Sequence, residues 1–393
     1  MNLVEYDVHG VVGVRLVNAS ASDIAAVDRQ LGPLRCSLAR EPEIVIRYVH
    51  ELPARHARQI EVGRTRFTND GLCVLNSGSR GALTSLALDV VGGACEIVCE
   101  HGIGAVPLLV PIVNLTALAR GFVAVHAAAV LYNGTGVLMP AWAHGGKTTA
   151  MLAFAAHGAE YIGDEWILVS RDGSRMHGIP QPIEIHDWQI RQIPSMRGEV
   201  SRTMQMACAA ARLLGHATGL DAAEAPRGLS LRALHRVLAA IRRSLDVSLD
   251  PLRLATGNRP AFSATVNTIF FMVRHGGTDI RVQRARPLHV VNSIAASTGC
   301  ESTPLMTTYL KYRSTFPGRT NHWLERAHEM RSEFLAHALG QKDAFVVYHP
   351  ARCNLRELFD AMASVCSTTV AVSDENRLGA APAANPVACR EAS

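Results

Sequence analysis

The sequence predicts an α/β fold organised around one strand, one turn and one helix. Residues 136–140 form an apolar run of strand length, the turn after them contains two glycines, and residues 150–156 are typical of a helix. Residues 122–131 are apolar on both faces, which is typical of a strand in a sheet that is covered on each side. These patterns predict a sheet with helices packed against it.

The turn has the features of a phosphate-binding loop. Backbone N–H groups at the start of a helix lack partners and point outward, so they can surround an anion that the helix dipole also favours. Lys147 would reach the outer phosphates, and the Thr148 hydroxyl would complete the shell of a magnesium ion. The residues that we predict to bind ATP are His144, Gly145, Gly146, Lys147, Thr148 and Thr149.

The loop departs from the usual pattern, which has a glycine six residues before the lysine, where this chain has Ala141. His144 occupies a position where a second glycine is common. An ordinary turn with a solvated lysine is the alternative interpretation. The chain has only three lysines against thirty-six arginines, so a lysine at this position is unexpected and favours the phosphate-binding loop.

Two adjacent acids follow the next strand-like run. Asp164 and Glu165 come directly after residues 160–163. Adjacent carboxylates often form a solvated turn, but at the C-terminal edge of a strand beside a phosphate loop they are typical of a magnesium ligand and a base. His126 lies in the middle of the strand 122–131, where a single histidine is more often a hydrogen-bonded core residue than a catalytic one.

His126, Lys147-Thr148 and Asp164-Glu165, together with their spacing, resemble the kinase domain of the bacterial HPr kinase/phosphorylase family. The resemblance covers residues 120–170 and extends weakly to about residue 290. It implies an α/β P-loop kinase core of the HPr kinase/PEP carboxykinase type. It also implies that Thr148 and Asp164 are the metal ligands and that Glu165 is the catalytic base, with His126 beside it. The family usually has Asp at the second acidic position, so Glu165 is longer by one methylene.

The resemblance implies an ATP- and Mg²⁺-dependent kinase that transfers a phosphoryl group to a hydroxyl. The family's downstream segment of the Glu-Ile-Arg-Gly-Leu-Gly type is absent, so HPr itself is not the expected acceptor. We expect a serine or threonine of a peptide or another protein, or a small metabolite. Two alternatives stay open, a catalytically silent nucleotide-binding regulator or scaffold and a PEP-carboxykinase-like enzyme.

Composition narrows the class of protein. The net charge of +5 is spread along the chain, which argues against a nucleic-acid partner. The nine cysteines lack the spacing of a zinc site or a disulfide framework, so we expect a reducing cytoplasm and interpret Cys95 and Cys99 as packing residues. Neither a signal peptide nor an apolar stretch of membrane length is present, so we expect no membrane partner. A homo-oligomer is left open.

The pattern along the chain predicts four regions and one insertion. Residues 1–105 are expected to form an N-terminal α+β domain of short strands, with one helix over 21–30 that Ser22 and Asp23 could cap. The remaining regions are a nucleotide-binding domain over 106–295 with a helical insertion at 195–257, a C-terminal helical extension over 296–372 and a disordered tail over 373–393.

Two further groups of polar residues are weaker candidates. The proline-rich extended segment 178–187 could form the far wall of the cleft through Glu184, His186 and Asp187. Lys311, Arg313 and Arg319 could bind a phosphate, although a solvated surface is the favoured interpretation.

Overall fold

The structure is a computed structural model that describes residues 3–77, 81–193, 247–254 and 260–373. Most of the predicted helical insertion at 195–257 lies outside these ranges, as do residues 374–393 of the predicted tail. The described part of the insertion, residues 247–254, forms a short strand and one 3₁₀ turn. Within the described ranges, no helix is both long and apolar enough to cross a bilayer.

An eight-stranded mixed sheet is built from the first hundred residues. Its strands are β1 Leu3–Val8, β2 Val12–Val17, β3 Ile44–Val49, β4 Gln59–Val62, β5 Thr65–Thr68, β6 Leu72–Ser77, β7 Ala82–Ala87 and β8 Cys95–Glu100. Their order across the sheet is β1-β2-β3-β8-β7-β6-β5-β4. Strand β3 pairs in parallel with both β2 and β8, and the other neighbours are antiparallel.

One helix, α1 Ala21–Leu31, interrupts these strands. We expected Ser22 and Asp23 to cap it, but its N-cap is Ser20. The Ser20 hydroxyl accepts from the Asp23 backbone N–H, and the Asp23 carboxylate accepts from the Ser20 N–H. This reciprocal capping satisfies two backbone donors, the N–H groups of Ser20 and Asp23, at the start of the helix.

A second sheet of nine strands contains the predicted strand, turn and helix. Its strands are β9 Phe122–Tyr132, β10 Thr135–Pro140, β11 Glu160–Gly163, β12 Trp166–Ser170, β13 Met176–Gly178, β16 Ser263–Ala264, β17 Thr268–His275, β18 Arg281–Arg284 and β19 Asp343–Pro350. Their order is β16-β13-β12-β9-β10-β17-β19-β18, with β11 also paired to β9. Two further strands, β14 Ile183–Ile185 and β15 Val247–Leu249, form a separate pair.

Strand direction brings two loops to the same level of this sheet. Strands β10, β11 and β12 are all antiparallel to β9, so they run in the same direction as one another. Strand β10 ends opposite Ala127 of β9, and the break between β11 and β12 lies between the partners Ala129 and His126 of the same strand, so the loop after β10 and the residues of this break lie at the same level of the sheet. Strand β17 is parallel to β10, and β19 is parallel to β17. We expected residues 296–372 to be a C-terminal helical extension with one strand over 344–348; the strand is present as β19, and it lies inside the second sheet, between β17 and β18.

Helices cover both faces of the second sheet. They are α2 Leu109–Ala119, α3 Lys147–Ala155, α4 Asp187–Ile190, α5 Pro287–Glu301, α6 Thr303–Thr315, α7 His322–Leu339 and α8 Leu355–Ser373. Buried side chains of α2, α5 and α7 pack on one face, and those of α3 and α8 pack on the other. Strand β9 is buried along most of its length because it contributes to both apolar clusters.

The two sheets share one of these clusters. Tyr6 and Ile97 of the first sheet belong to the same buried apolar cluster as Val123 of β9 and Leu335 of α7. Helix α2, which connects the sheets along the chain, contributes Ile112 to it. Because burial of apolar surface is the main stabilising term in folding, the sheets stabilise each other through this cluster.

Asn321 joins the sheets by hydrogen bonds at the start of α7. Its side-chain amide donates to the carbonyls of Leu88 and Val91, each at 2.8 Å, just beyond β7. Its side-chain oxygen accepts from the Leu324 N–H at 3.0 Å and so caps the helix. The side chain is buried, so all three bonds are shielded from water.

We expect Asn321→Ala to lower the free energy of unfolding by about 2–4 kcal/mol, because it removes a helix cap and two buried hydrogen bonds between the sheets. Urea unfolding of the full chain measures this change. Asn354→Ala is the matched control, because the Asn354 side chain caps α8 at an exposed position and makes no bond to the first sheet. It should cost only about 0.5–2 kcal/mol. Equal losses in both variants would contradict a joining role for Asn321.

Candidate functional site

The predicted strand, loop and helix are present in the structure. Strand β10 ends at Pro140, residues 141–146 form the loop, and α3 begins at Lys147. Gly146 has φ 103°, and His144 has φ 58°, so two loop residues lie in the left-handed region. A Cβ on Gly145 would lie 2.8 Å from the Trp142 carbonyl oxygen, which leaves no room for a larger residue there. The loop therefore needs glycine at both positions, at 145 for lack of space and at 146 because of its left-handed backbone.

His349 supports the loop from the neighbouring part of the sheet. It lies in β19, is 1% exposed, and its Nε2 is 2.9 Å from the Gly145 carbonyl oxygen. Its ring also fills the space that a side chain at Gly146 would need, since a Cβ there would be 2.2 Å from Nε2. Sequence reasoning did not find this residue, because 204 positions separate it from Gly145 and only the sheet order brings them together.

The acidic pair occupies the two-residue break between β11 and β12, at the level of β9 where β10 also ends. Glu165 has φ 73°, a left-handed conformation that is uncommon for a residue with a side chain. Its carbonyl accepts from the Ala127 N–H at 3.2 Å, which fixes the turn against β9. This backbone conformation aims the two consecutive carboxylates at the first turn of α3.

Lys147 and His126 both bind Glu165. The Lys147 Nζ donates to Glu165 Oε1 at 2.6 Å, and His126 Nε2 lies 3.1 Å from Oε2. Lys147 is 7% exposed and His126 is 3% exposed. The predicted base is thus held from both sides, by the loop lysine and by a histidine from the centre of β9.

Asp164 faces the next residue of α3. The Thr148 hydroxyl donates to Asp164 Oδ2 at 2.7 Å. The other oxygen, Oδ1, is buried and has no hydrogen-bond partner among the described residues. A buried oxygen without a partner is costly unless something else binds it, and a cation is one such partner.

These carboxylates have opposite pKa shifts. Burial raises the pKa of Asp164, and the positive charge of Lys147 offsets this only in part. Burial also acts to raise the pKa of Glu165, but the hydrogen bond from His126 and the charge of Lys147 outweigh it and lower that pKa to about 2. For Lys147, burial acts to lower the pKa, and the two carboxylates outweigh it so that the pKa is raised. The ammonium group and Glu165 are therefore charged at neutral pH.

The donor set fits a magnesium ion that also binds phosphate. Mg²⁺ usually takes one or two carboxylates and completes its shell with waters and substrate phosphates. Thr148 and Asp164 supply a hydroxyl and a carboxylate side by side. In the described ranges no group of three or more His, Cys, Asp or Glu side chains could hold a metal, so a protein-only metal site is not formed there.

Residues outside the predicted set contact His126 and Thr149. Glu301, at the end of α5, has Oε1 4.0 Å from His126 Nδ1, and the backbone N–H of His126 donates to the Thr298 hydroxyl at 3.3 Å. Gln189 of α4 donates to the Thr149 hydroxyl at 2.9 Å. Trp142 in the loop is 47% exposed beside these groups.

The structure brings together five of the predicted residues, His126, Lys147, Thr148, Asp164 and Glu165. The segment 178–187 leads into α4, and Gln189 of this helix, just beyond the predicted Glu184, His186 and Asp187, donates to the Thr149 hydroxyl of α3. Glu184 lies in β14 and is exposed.

The basic residues 311, 313 and 319 have structural partners. Lys311 donates to the Thr65 hydroxyl of the first sheet at 3.1 Å. Arg313 donates to the carbonyls of Pro317 and Arg319 and pairs with Glu325. Lys311 and Arg313 therefore have protein partners in the structure. Cys95 and Cys99 are likewise buried in β8, as expected for packing residues.

Comparison with known proteins adds no relative. No family model matches the chain, and no curated protein matches it. Any functional assignment therefore rests on the loop at the start of α3 and on the carboxylates that face it.

We expect Asp164→Asn to make the ligand-free protein more stable at neutral pH. The pKa of Asp164 is raised in the folded state, so the folded form binds its proton more tightly than the unfolded form does. Its ionisation therefore costs stability as the pH rises from the ordinary aspartate pKa through the raised one, and asparagine avoids this cost. Thermal unfolding of both proteins from pH 3.5 to 8 tests it. The gain in melting temperature of the variant over the parent should shrink towards the acid end. A gain that is larger at pH 4 than at pH 8 would contradict this account.

Proposed function

We propose that this protein is a magnesium-dependent phosphotransferase that uses ATP and phosphorylates a hydroxyl. The observation that carries the proposal is the convergence of Lys147, Thr148, Asp164 and Glu165 at the level of β9 where β10 and β11 end. The resemblance to the HPr kinase type of P-loop kinase supports the same reaction. We further propose a cytoplasmic location, since every cysteine that the structure describes is a free thiol.

The loop and the first turn of α3 would bind the phosphates. The helix begins at Lys147, so its first backbone N–H groups have no partners within the helix and favour an anion. Thr148 and Asp164 would hold Mg²⁺, which neutralises charge on the phosphate oxygens when it is bound. Gln189 would keep the Thr149 hydroxyl, one residue further along α3, in a fixed orientation.

Phosphate binding would exchange the partner of Lys147. In the structure its ammonium group pairs with Glu165, and the hydrogen bond from His126 together with this charge lowers the pKa of that carboxylate to about 2 and makes it a poor base. When Lys147 turns to a phosphate oxygen, Glu165 loses its nearest positive charge, so its pKa rises. Glu165 can then accept the proton of an acceptor hydroxyl as the phosphoryl group arrives.

His126 would position the base. Its Nε2 lies against the Glu165 oxygen that does not bind Lys147, so it can hold the carboxylate in place after the lysine leaves. The acceptor would be a serine or threonine of a peptide or protein, or a small metabolite with a hydroxyl.

One observation favours a catalytically silent nucleotide-binding protein instead. The loop has Ala141 and His144 at positions where glycine is usual, and Glu165 is engaged by both Lys147 and His126. The two functions differ in turnover, because a silent protein would bind Mg-ATP without releasing ADP. The PEP-carboxykinase-like alternative has no comparable observation in its favour.

We expect Lys147→Ala to weaken binding of Mg-ATP by about 1.5–3 kcal/mol, because the variant loses the cation that faces the phosphates. Calorimetric titration of the full chain measures the affinity. Lys342→Ala is the control, since this lysine lies outside the loop, before β19, and should leave the affinity unchanged. Equal affinities in the Lys147 variant and the parent would rule out this role.

We expect Glu165→Gln to reduce phosphoryl transfer by about 10²–10⁴-fold while ATP affinity stays the same or increases. The amide keeps the shape but neither accepts the proton nor pairs with the Lys147 ammonium group as strongly. Release of ADP, with water or added free serine as acceptor, measures the rate.

Two variants separate the proposed roles. Asp164→Asn should weaken the magnesium-dependent part of ATP binding, which Glu165→Gln should spare. Glu160→Gln, on the same strand β11, should change neither quantity. Transfer by Glu165→Gln at the parent rate would exclude Glu165 as the base, and a parent protein that binds ATP without turnover would favour the silent alternative.

A further inference from the structure

A cavity of about 270 Å³ lies on the opposite side of the second sheet from α3. It is lined by α2, the start of β9, Trp166 of β12 and the helices α5, α6 and α7, and it is partly open to solvent. None of the loop residues 141–149 and neither member of the acidic pair is among the described residues that line it. The cavity is therefore separate from the proposed nucleotide site.

The walls of this cavity differ in polarity. Helix α2, strand β9 and helix α6 line it mainly with apolar side chains, among them Leu115, Leu118, Val123, Leu305 and Met306. Helix α7 lines it with His328 and Arg331, which lie three residues apart and so on the same face of the helix. Ser302, between α5 and α6, adds a hydroxyl.

Arg331 is a positive charge without an acidic partner. Its Nη2 donates to the Ser302 hydroxyl at 3.1 Å, and within the described ranges no carboxylate lies within ion-pair distance of it. Burial, with no opposing charge nearby, lowers its pKa. Placing a guanidinium group at an apolar cavity without a counter-charge costs free energy, and an anionic ligand would remove that cost.

We propose that this cavity binds a small amphipathic anion, with an apolar body against α2, β9 and α6 and a single carboxylate or phosphate group on Arg331. Arginine suits such a group because its planar fork can donate two parallel hydrogen bonds to it. His328 lies three residues before Arg331 on the same face of α7 and can contact the anionic group too. A neutral apolar molecule would leave the guanidinium group unpaired.

The size of the cavity limits the ligand. Its volume is nearly twice the ~150 Å³ of an apolar cavity that holds one benzene molecule. It thus suits a ligand of on the order of ten non-hydrogen atoms and is too small for a nucleoside triphosphate.

The cavity adjoins the back of the candidate active site. Trp166 and Thr298 both line it. The Trp166 ring lies 5.7 Å from the ring of His126, and the Thr298 hydroxyl accepts from the His126 backbone N–H. A bound ligand would contact two direct neighbours of His126.

Calorimetric titration with octanoate and 3-phenylpropanoate tests the proposal, with 1-octanol as the neutral probe and acetate as the anion without an apolar body. We expect one octanoate or phenylpropanoate per chain and weaker binding of octanol and acetate. Arg331→Met should weaken binding of the two long anions by about 10- to 100-fold and leave octanol unchanged. Arg326→Met is the control, because Arg326 lies on the same helix but pairs with Glu329 at the surface.

A second variant tests the cavity without changing its charge. Gly299 lines the cavity, and a Cβ there would have only Arg331 Nη1 nearby, at 3.7 Å, so Gly299→Leu should fit the helix and fill the space. It should abolish binding of all the apolar probes. Arg331→Met should unfold at the parent's melting temperature or above it. If the arginine had a purely structural role, its replacement would lower the melting temperature. Failure of both long anions to bind, or equal binding by the parent and both variants, would overturn the proposal.

Discussion

The candidate site depends on balancing one buried ammonium group against two carboxylates. Lys147 is almost completely buried, and a buried cation is tolerated only when opposite charge lies beside it. Glu165 supplies that charge by direct contact, while Asp164 is more deeply buried and bonds to Thr148. The result is a strained arrangement in which one carboxylate is strongly ionised and the other resists ionisation. Anionic phosphate together with a divalent cation would lower this electrostatic cost, since Lys147 would gain the phosphate as a partner and Asp164 would gain the cation.

The fold holds these groups in place through backbone geometry. Because β10 and β11 run in the same direction on the two sides of β9, the loop before α3 and the acidic turn emerge together. The left-handed backbone at Glu165 then aims both acids at α3. Strand β19 adds His349 beneath the loop, and α5 brings Thr298 to the backbone of His126. The proposed catalytic groups are thus placed by strands and helices, which fits the precise positioning that phosphoryl transfer would require.

Local patterns predicted much of this arrangement. The predicted strand at 160–163 and the predicted helix start at residue 21 match the structure. Lys147, Thr148 and the acidic pair were found because their spacing carries chemistry. Strands β4 and β5 were missed because each has only four residues, too few for a clear pattern. His349, Gln189 and Arg331 could not be found from the sequence, because their roles depend on contacts between distant segments, and a single His, Gln or Arg carries no local signal.

The central claim is that nucleotide phosphate replaces Glu165 as the partner of Lys147. A crystal structure of the full chain with Mg²⁺ and a non-hydrolysable ATP analogue tests it most directly. The account predicts a phosphate oxygen within hydrogen-bond distance of Lys147 Nζ, the ion beside Thr148 and Asp164, and Glu165 separated from the lysine but still held by His126. A nucleotide bound elsewhere, or one bound at the loop with the Lys147–Glu165 pair intact, would contradict it.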